Sequence, residues 1–597
     1  MAGPGAPTWR AAPAALVIHA LLVLWLTWPL VARVGAELPN TRLACRVDTL
    51  LAGWTLAWET HALATDPSRV LDANIYHPDP HALLYGPTFL AALPIFAPAF
   101  LATGNPVLAL NLSFLVGLVL TAAALHVVAY RWTASHLAGA IAGLVFLTTR
   151  WTLQWWLPTA PPFALLELFP FIILVASRPF RGARDGVVLA VLVAAQGLTD
   201  VRYTTAAIVL PLGVLAAFRL ALPRTRAAGA RTAVAVALGL VLLAPIFAVH
   251  FDVRRRNPAI EEQTVWTIPP MPVRLPGGLM DENAPTGVPL ASLVLIIAGA
   301  ALRWTGRGRE ATPDAAWHHA ALWTIAGSFF AISAFYTPSG AVVRMPFTVL
   351  LDRLGLQLVL RAPLRLGLGA LMGAALLAAL AFATCAATIA RAARPGALRA
   401  LAFAAVATTL VAEYRWGLPG GWRPPIPAAY PLAAPPAMAP AIADVLRAAP
   451  APTLELPAAI PFQQTPAMWR SIGGWWPLVN GYSGYFPAAF PERMALAARL
   501  PDAAALGALV RDTQLAWVVV RTGDMGFSPA RTVWGDLAAR PSGALRLVAR
   551  AGADLLFAVA PRASELGVDE LERALGRVDD REHDQDDVEE HERVVTE

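Results

Sequence analysis

The sequence contains no lysine, so all 46 basic residues are arginine. Charge of either sign is scarce: 14% of the 597 residues are charged, against about 25% in soluble domains. With 57% hydrophobic residues and a mean hydropathy of +0.55, a chain lying wholly in water is excluded. Cysteine occurs twice, as Cys45 in a loop and Cys385 in an apolar run, which supports neither a disulfide nor a thiolate metal cluster. Also missing are HExxH, GxSxG, zinc-ligand spacing and a glycine-rich phosphate loop. Nothing in the sequence suggests nucleic-acid binding.

What is there instead is a series of apolar runs of about 20 residues, the length that crosses a bilayer. They read as a polytopic α-helical membrane protein with about 11 transmembrane helices. These are Pro13–Val34, then 107–130, 135–149, 162–177, 186–200, 203–221, 229–250, 287–302, 317–336, 364–389 and 398–414. A cleavable signal is the rival reading of the first run, because Val34-Gly35-Ala36 places small residues at its end. Residues 88–104 are apolar but short and interrupted by Pro94 and Pro98, so an interfacial or re-entrant piece is expected there. Arginine tests the order. With the N-terminus inside, the inner loops carry Arg131, then Arg178, Arg181 and Arg184, then Arg219, Arg224, Arg226 and Arg231. Arg303, Arg307 and Arg309 follow, and finally Arg391, Arg394 and Arg399, as the positive-inside bias requires. The first loop and the C-terminal region then face the non-cytoplasmic side.

Three parts are expected: a transmembrane domain over 1–415 with a first external loop at 36–106, an α/β domain over 416–562, and an acidic, disordered tail over 563–597. In the second part Thr453–Leu456, Leu515–Val520 and a hairpin around Gly552-Ala553 read as strands, and 438–448, 491–500 and 502–511 as helices. From Pro561 onward acidic residues outnumber arginines 14 to 5, a composition suited to a solvated tail.

The first external loop gathers Asp48, Glu59, His61, Asp66, Asp72, His77, Asp79 and His81. Wound as a helix, 47–63 places Asp48, Thr55 and Glu59 on one face and Leu50, Trp54 and His61 opposite. That pattern predicts an amphipathic helix along the membrane interface. Asp48 and Glu59 are about 16 Å apart along its axis, so each acts alone or is a solvated charge. Asp72, His77, Asp79 and His81 are weak candidates to ligate a divalent metal ion, with a rigid turn around Pro78 and Pro80 as the other reading. Polar residues inside the apolar runs are few: His126, Glu167, Gln196 and Asp200. Position makes them functional candidates, with helix packing the simpler role for His126. Arg361 and Arg365 open the tenth run, where guanidinium suits bidentate phosphate contact or snorkels to headgroups. Further on, Trp475-Trp476-Pro-Leu-Val-Asn480-Gly-Tyr482 combines aromatic faces with an amide, as carbohydrate-contacting surfaces and tightly packed loops both do.

This layout resembles the GT-C membrane glycosyltransferases. The likeness runs over most of residues 13–560 and is carried by VDTLLAGWTLAWETHAL, DANIYHPDPHALLYGPTFLAALP, NPVLALNLSFL, Leu153-Gln154, RAPLRLG, LELP and WWPLVNGYSGYFPAAF. It points to a largely uncharacterised bacterial subgroup. The resemblance implies inverting transfer of a sugar from a polyprenyl-phosphate donor to a glycan, lipid or protein acceptor, on the non-cytoplasmic side of a bacterial inner membrane. It implies no cofactor other than a divalent metal ion at most. It assigns the catalytic carboxylate to Asp48 and phosphate binding to Arg361 and Arg365, with Glu59, Gln154, Trp476, Asn480 and Tyr482 as further substrate contacts. Better-known members often show paired acids, whereas Val47-Asp48 supplies one. A transporter or flippase of lipid-linked glycans and a non-catalytic assembly protein of the same layout are the alternatives.

Overall fold

The computed structural model describes residues 8–42, 46–178, 180, 182–258, 260, 284–337, 339–355, 360, 362–389, 394–419, 423–539 and 544–560. Cys45, Arg361 and the acidic tail lie outside them. The chain divides into two compact units. The first comprises Met1–Ala52, Pro87–Asp252 and Gln263–Ala434, and the second Gly53–Gly86, Val253–Glu262 and Pro435–Glu597.

The first unit is helical. Its elements are α1 (Thr8–Leu26), β1 (Leu38–Pro39), the start of α2 (Arg46–Thr65), α3 (Leu93–Thr103), α4 (Pro106–Thr133), α5 (His136–Thr148), α6 (Leu168–Ala176), α7 (Ala183–Gly197) and α8 (Tyr203–Ala221). Then come α9 (Arg226–Arg256), α10 (Leu290–Trp304), α11 (Asp314–Ala331), the hairpin β2 (Ala334–Tyr336) and β3 (Val342–Arg344), α12 (Pro346–Arg353), α13 (Leu368–Ile389), α14 (Pro395–Trp416) and β4 (Leu432–Ala433), which pairs with β1. Among the described residues, five helices are long and apolar enough to cross a membrane by length and composition: Pro106–Thr133, Tyr203–Ala221, Pro223–Arg256, Pro363–Ile389 and Pro395–Trp416. Each of the other expected runs also contains a helix, from the nine residues of α6 to the 19 of α1.

The shortening has a physical cause. In place of one run at 162–177 the chain makes a 3-10 turn at Pro161–Ala164 and a nine-residue α6, about 14 Å long. Residues 157–166 are buried throughout, the setting in which irregular backbone is tolerated at membrane depth. α3 spans only about 16 Å and stops at Gly104, whose φ of 66° is the left-handed geometry of a helix C-terminus.

α13 is the hub. It reads LGALMGAALLAALAFATCAATI and its membrane-length window is 100% buried. Small side chains let neighbours approach closely. A Cβ at Gly327 of α11 would lie 2.2 Å from the Ala370 nitrogen, and one at Gly373 would lie 2.6 Å from the Thr324 nitrogen. Another join is polar. Buried Glu413, near the end of α14, pairs with Arg423 and accepts the backbone N–H groups of Leu290 and Ala291 at 2.7 and 3.0 Å, while Arg423 donates to the carbonyls of Gly287 and Val288. The carboxylate thus satisfies the free donors that open α10.

A chain of imidazoles crosses α1, α4 and α5. His19 Nε2 lies 3.2 Å from His126 Nδ1, and His126 Nε2 lies 3.1 Å from His136 Nδ1. His19 and His126 are fully buried and His136 is exposed. Gly139 and Gly143 make room, since a Cβ on them would strike the His126 and His19 rings.

The second unit holds a four-stranded sheet in the order β5-β6-β8-β7: β5 (Thr453–Leu456), β6 (Trp517–Arg521), β7 (Leu545–Ala551) and β8 (Asp554–Val559). β5 and β6 are parallel; β6/β8 and β7/β8 are antiparallel. The sheet packs with α17 (Phe490–Ala497), α18 (Ala503–Thr513) and α19 (Pro529–Ala539) over Leu454, Val518, Phe557, Leu509 and Trp534. α15 (Pro440–Ala448) precedes β5 and α16 (Pro461–Ser471) follows it. Glu455 of β5 is buried in an ion pair with Arg470 of α16.

Candidate active site

The site builds on the first turn of α2. Asp48 sits there and is partly exposed, where the helix dipole favours a carboxylate. Its neighbour Thr49 donates from Oγ1 to the carbonyls of Pro158 and Thr159, at 3.1 and 3.0 Å. That tie fixes the turn against the segment that follows a stretch of π-helix at Trp151–Trp155, a distortion often found at functional sites.

Two arginines stack on two consecutive tryptophans of this segment. Arg42 Cζ lies 3.9 Å from the Trp155 ring centroid and Arg365 Cζ 3.6 Å from that of Trp156. Arg365 is also 4.7 Å from the Tyr203 ring. It sits on the 3-10 turn Pro363–Gly367 ahead of α13, held by the Ala362 N–H donating to Tyr203 Oη at 3.1 Å. Asp200 organises the start of α8: its Oδ1 accepts the N–H groups of Arg202 and Tyr203, both at 2.7 Å. Asp48, Asp200 and Arg202 all lie within electrostatic reach of Arg365. Cation–π stacking engages the face of a guanidinium, so its in-plane N–H edges remain directed at anions.

The structure therefore brings Asp48 and Arg365 together, and adds Arg42, Trp155, Trp156, Asp200 and Tyr203. Gln154 is next door in sequence but buried, its Nε2 donating to Tyr414 Oη at 2.8 Å. The Trp155-Trp156 doublet beside Gln154 is the sequence signal for this aromatic platform, lying between the apolar runs 135–149 and 162–177.

Glu59 corrects an expectation. It is 1% exposed, neither carboxylate oxygen has a hydrogen-bond partner, and burial raises its pKa to about 8. Thr55 is buried, as are Leu50 and Trp54. α2 is thus buried over residues 49–60, and the solvated face expected for Thr55 and Glu59 is absent. Glu59, Trp476, Asn480 and Tyr482 belong to the second unit. Asn480 is fully buried, with Oδ1 accepting the Glu455 N–H and Nδ2 donating to the Glu455 carbonyl and to Gln464 Oε1. Trp476 is 1% exposed and its carbonyl accepts from Asn74. These two are internal to their unit. Tyr482 is partly exposed, as is Trp475, whose ring stacks on His61 at 4.7 Å.

The Asp72–His81 stretch is a turn. Asp72 Oδ1 accepts the His81 N–H at 2.8 Å, and Asp79 pairs with Arg493, which also holds Asp512. Among the described residues no group of three or more His, Cys, Asp or Glu side chains is placed to hold a metal ion. Of the polar residues inside the apolar runs, Gln196 spends its amide on Leu165, Leu168, Phe169 and Thr199, and His126 is the middle of the imidazole chain.

No protein-family profile and no curated protein matches the sequence. Among solved structures, the arabinofuranosyltransferase AftD from mycobacteria aligns over 92% of this chain with a TM-score of 0.51 at 17% identity. The chain has a GT-C fold. A variant of AftD gives a TM-score of 0.49 at 16% identity. This chain spans 40% of the length of AftD. The GT-C fold here is that of a multi-pass membrane protein with a small C-terminal sheet unit.

Proposed function

We propose that the chain is an inverting glycosyltransferase that takes a sugar from a polyprenyl-phosphate donor and passes it to a glycan, lipid or protein hydroxyl on the non-cytoplasmic side of a bacterial inner membrane. What supports this reading is the Arg365 guanidinium on a tryptophan platform with the Asp48 carboxylate within its electrostatic reach. A general base must reach the acceptor proton, and a departing phosphate needs a fixed cation. Asp48 takes the proton of the acceptor hydroxyl. The hydroxyl oxygen attacks the anomeric carbon, and the bond to the phosphate oxygen breaks with its electron pair going to the phosphate. Arg365 holds that phosphate, and Arg42 on Trp155 supplies a second cation beside it. AftD is an arabinofuranosyltransferase by name, and the shared fold supports glycosyl transfer as the reaction class.

The test uses full-length protein in nanodiscs with synthetic polyprenyl-phosphate sugars and a soluble acceptor panel. Transfer with inversion of the anomeric centre, read by NMR of the product, is the expected result. Movement of the lipid-linked sugar between leaflets with no glycoside formed would replace this reading with that of a flippase.

A further inference from the structure

α1, α5 and α14 of the first unit enclose a groove of about 810 Å³ that no part of the proposed reaction uses. Leu22, Trp25, Leu144, Phe403, Val411 and Ile426 are among the residues that line it. Its depth along α14, from Phe403 to Trp416, is about 20 Å, somewhat more than one leaflet of a hydrocarbon core about 30 Å thick. α14 leaves most of its surface uncovered, with only 6% of its membrane-length window buried. An occupant here is therefore in the path of bilayer lipid.

One end of the groove is chemically different. Arg415 is the single charged residue of the lining, and Trp25 and Trp416 flank it, 52% and 72% exposed. Tryptophan in such positions sits at headgroup level. Arg415 Nη1 donates to the carbonyls of Pro427 and Ala428, at 3.3 and 2.8 Å, and its Cζ lies 5.9 Å from the Trp25 ring. All of these partners are neutral. The nearby Arg423 is paired with Glu413, yet among the described residues no carboxylate pairs with Arg415. A cation at the mouth of an apolar slot, with its positive charge uncompensated, is complementary to an amphiphile with one anionic head.

We propose that the groove binds one anionic phospholipid of the bilayer, an acyl chain between α1 and α14 and the phosphate on Arg415. The residues of the Asp48–Arg365 cluster do not line it, so the occupant is a resident lipid and not the sugar donor. It would brace α14 from outside, where Tyr414 holds Gln154 and Tyr430 Oη donates to the Leu153 carbonyl at 2.9 Å. Those two contacts anchor the stretch that carries Trp155 and Trp156.

The experiment is native mass spectrometry of the full chain released from nanodiscs of phosphatidylcholine and phosphatidylglycerol in equal parts. One retained phosphatidylglycerol is expected. Arg415→Ala should weaken retention by about tenfold, as loss of a charge-assisted hydrogen bond does. Arg415→Lys should keep it, and Ala140→Trp, which fills the slot, should abolish it. Fluorescence quenching by brominated phosphatidylglycerol, reduced in Trp25→Phe and further in the Trp25→Phe/Trp416→Phe double variant, gives a second readout independent of release. Equal retention of phosphatidylcholine, or unchanged retention in Arg415→Ala, would overturn the proposal. Displacement of the lipid by equimolar polyprenyl phosphate would also overturn it, by making the groove part of the donor site.

Discussion

Two arginines of the helical unit, Arg423 and Arg365, show how the same side chain is used in opposite ways. Arg423 is closed off. It is 5% exposed, paired with Glu413, and its other donors are taken by two carbonyls. Arg365 lies on a tryptophan face, keeps part of its surface accessible, and has Asp48 and Asp200 in its field. A saturated pair holds elements together but cannot take a ligand. A guanidinium held by its face, with carboxylates close by, is positioned and still available. The Glu455–Arg470 pair of the sheet unit is of the first kind, with both side chains 3% exposed.

The comparison breaks most sharply at Asp48. Asp48→Asn should cut transfer by about 10²–10⁴-fold with an unchanged melting temperature in detergent. A variant that retains full activity would leave Arg365 as an ordinary structural cation. Arg423→Ala should do the reverse. It strands a buried carboxylate at a cost of about 3–5 kcal/mol, read as a lower unfolding midpoint, with the specific activity of the surviving folded fraction preserved.

Glu59 gives a titration test of the closed kind of site. Its folded pKa of about 8 stands above the ordinary 4.5. Stability is therefore complete below about pH 4.5 and falls as pH rises towards 8, while the unfolded chain ionises and the buried carboxyl resists. Glu59→Gln should remove about 2–3 kcal/mol of pH dependence between pH 6 and 8, measured by thermal unfolding across that window. A wild-type curve flat over the same range would mean the carboxyl is hydrated. The smallest change is Arg365→Lys, which keeps the charge but loses the planar stack and fork. KM for the donor should rise about tenfold, equivalent to about 1–2 kcal/mol, while kcat changes little because the charge facing the departing phosphate is retained; a large fall in kcat would mean that the planar fork, and not the charge alone, serves that phosphate.

Much of the fold was legible because its signals are local. Apolar runs mark the helices, and β5 falls on the residues Thr453–Leu456 that alternate between apolar and polar in the sequence. That Asp48 and Arg365 belong to one site was legible only through the resemblance, since 317 residues separate the two positions in the sequence. The burial of Glu59 was not legible at all. A helix with Asp48, Thr55 and Glu59 on one face has the pattern of a solvated surface, and periodicity does not report that neighbours cover that face as well. Arg42 on Trp155 and Arg365 on Trp156 were hidden for a related reason: stacking is set by the path of the chain after the π-helical turn, and no spacing rule encodes it.

The imidazole chain of α1, α4 and α5 has a direction. A neutral imidazole carries one N–H, so each ring can donate to only one side. If His136 donates from Nδ1, His126 must accept at Nε2 and donate from Nδ1, and His19 must accept at Nε2 and keep its hydrogen on Nδ1. If the polarity is reversed, His19 Nδ1 is left with a bare lone pair. That atom is buried without a hydrogen-bond partner, so the two polarities strand different things in the same place. The tautomer of the exposed ring thereby dictates that of a buried ring more than a hundred residues away in the sequence, and neither can turn over unless the ring between them turns over too.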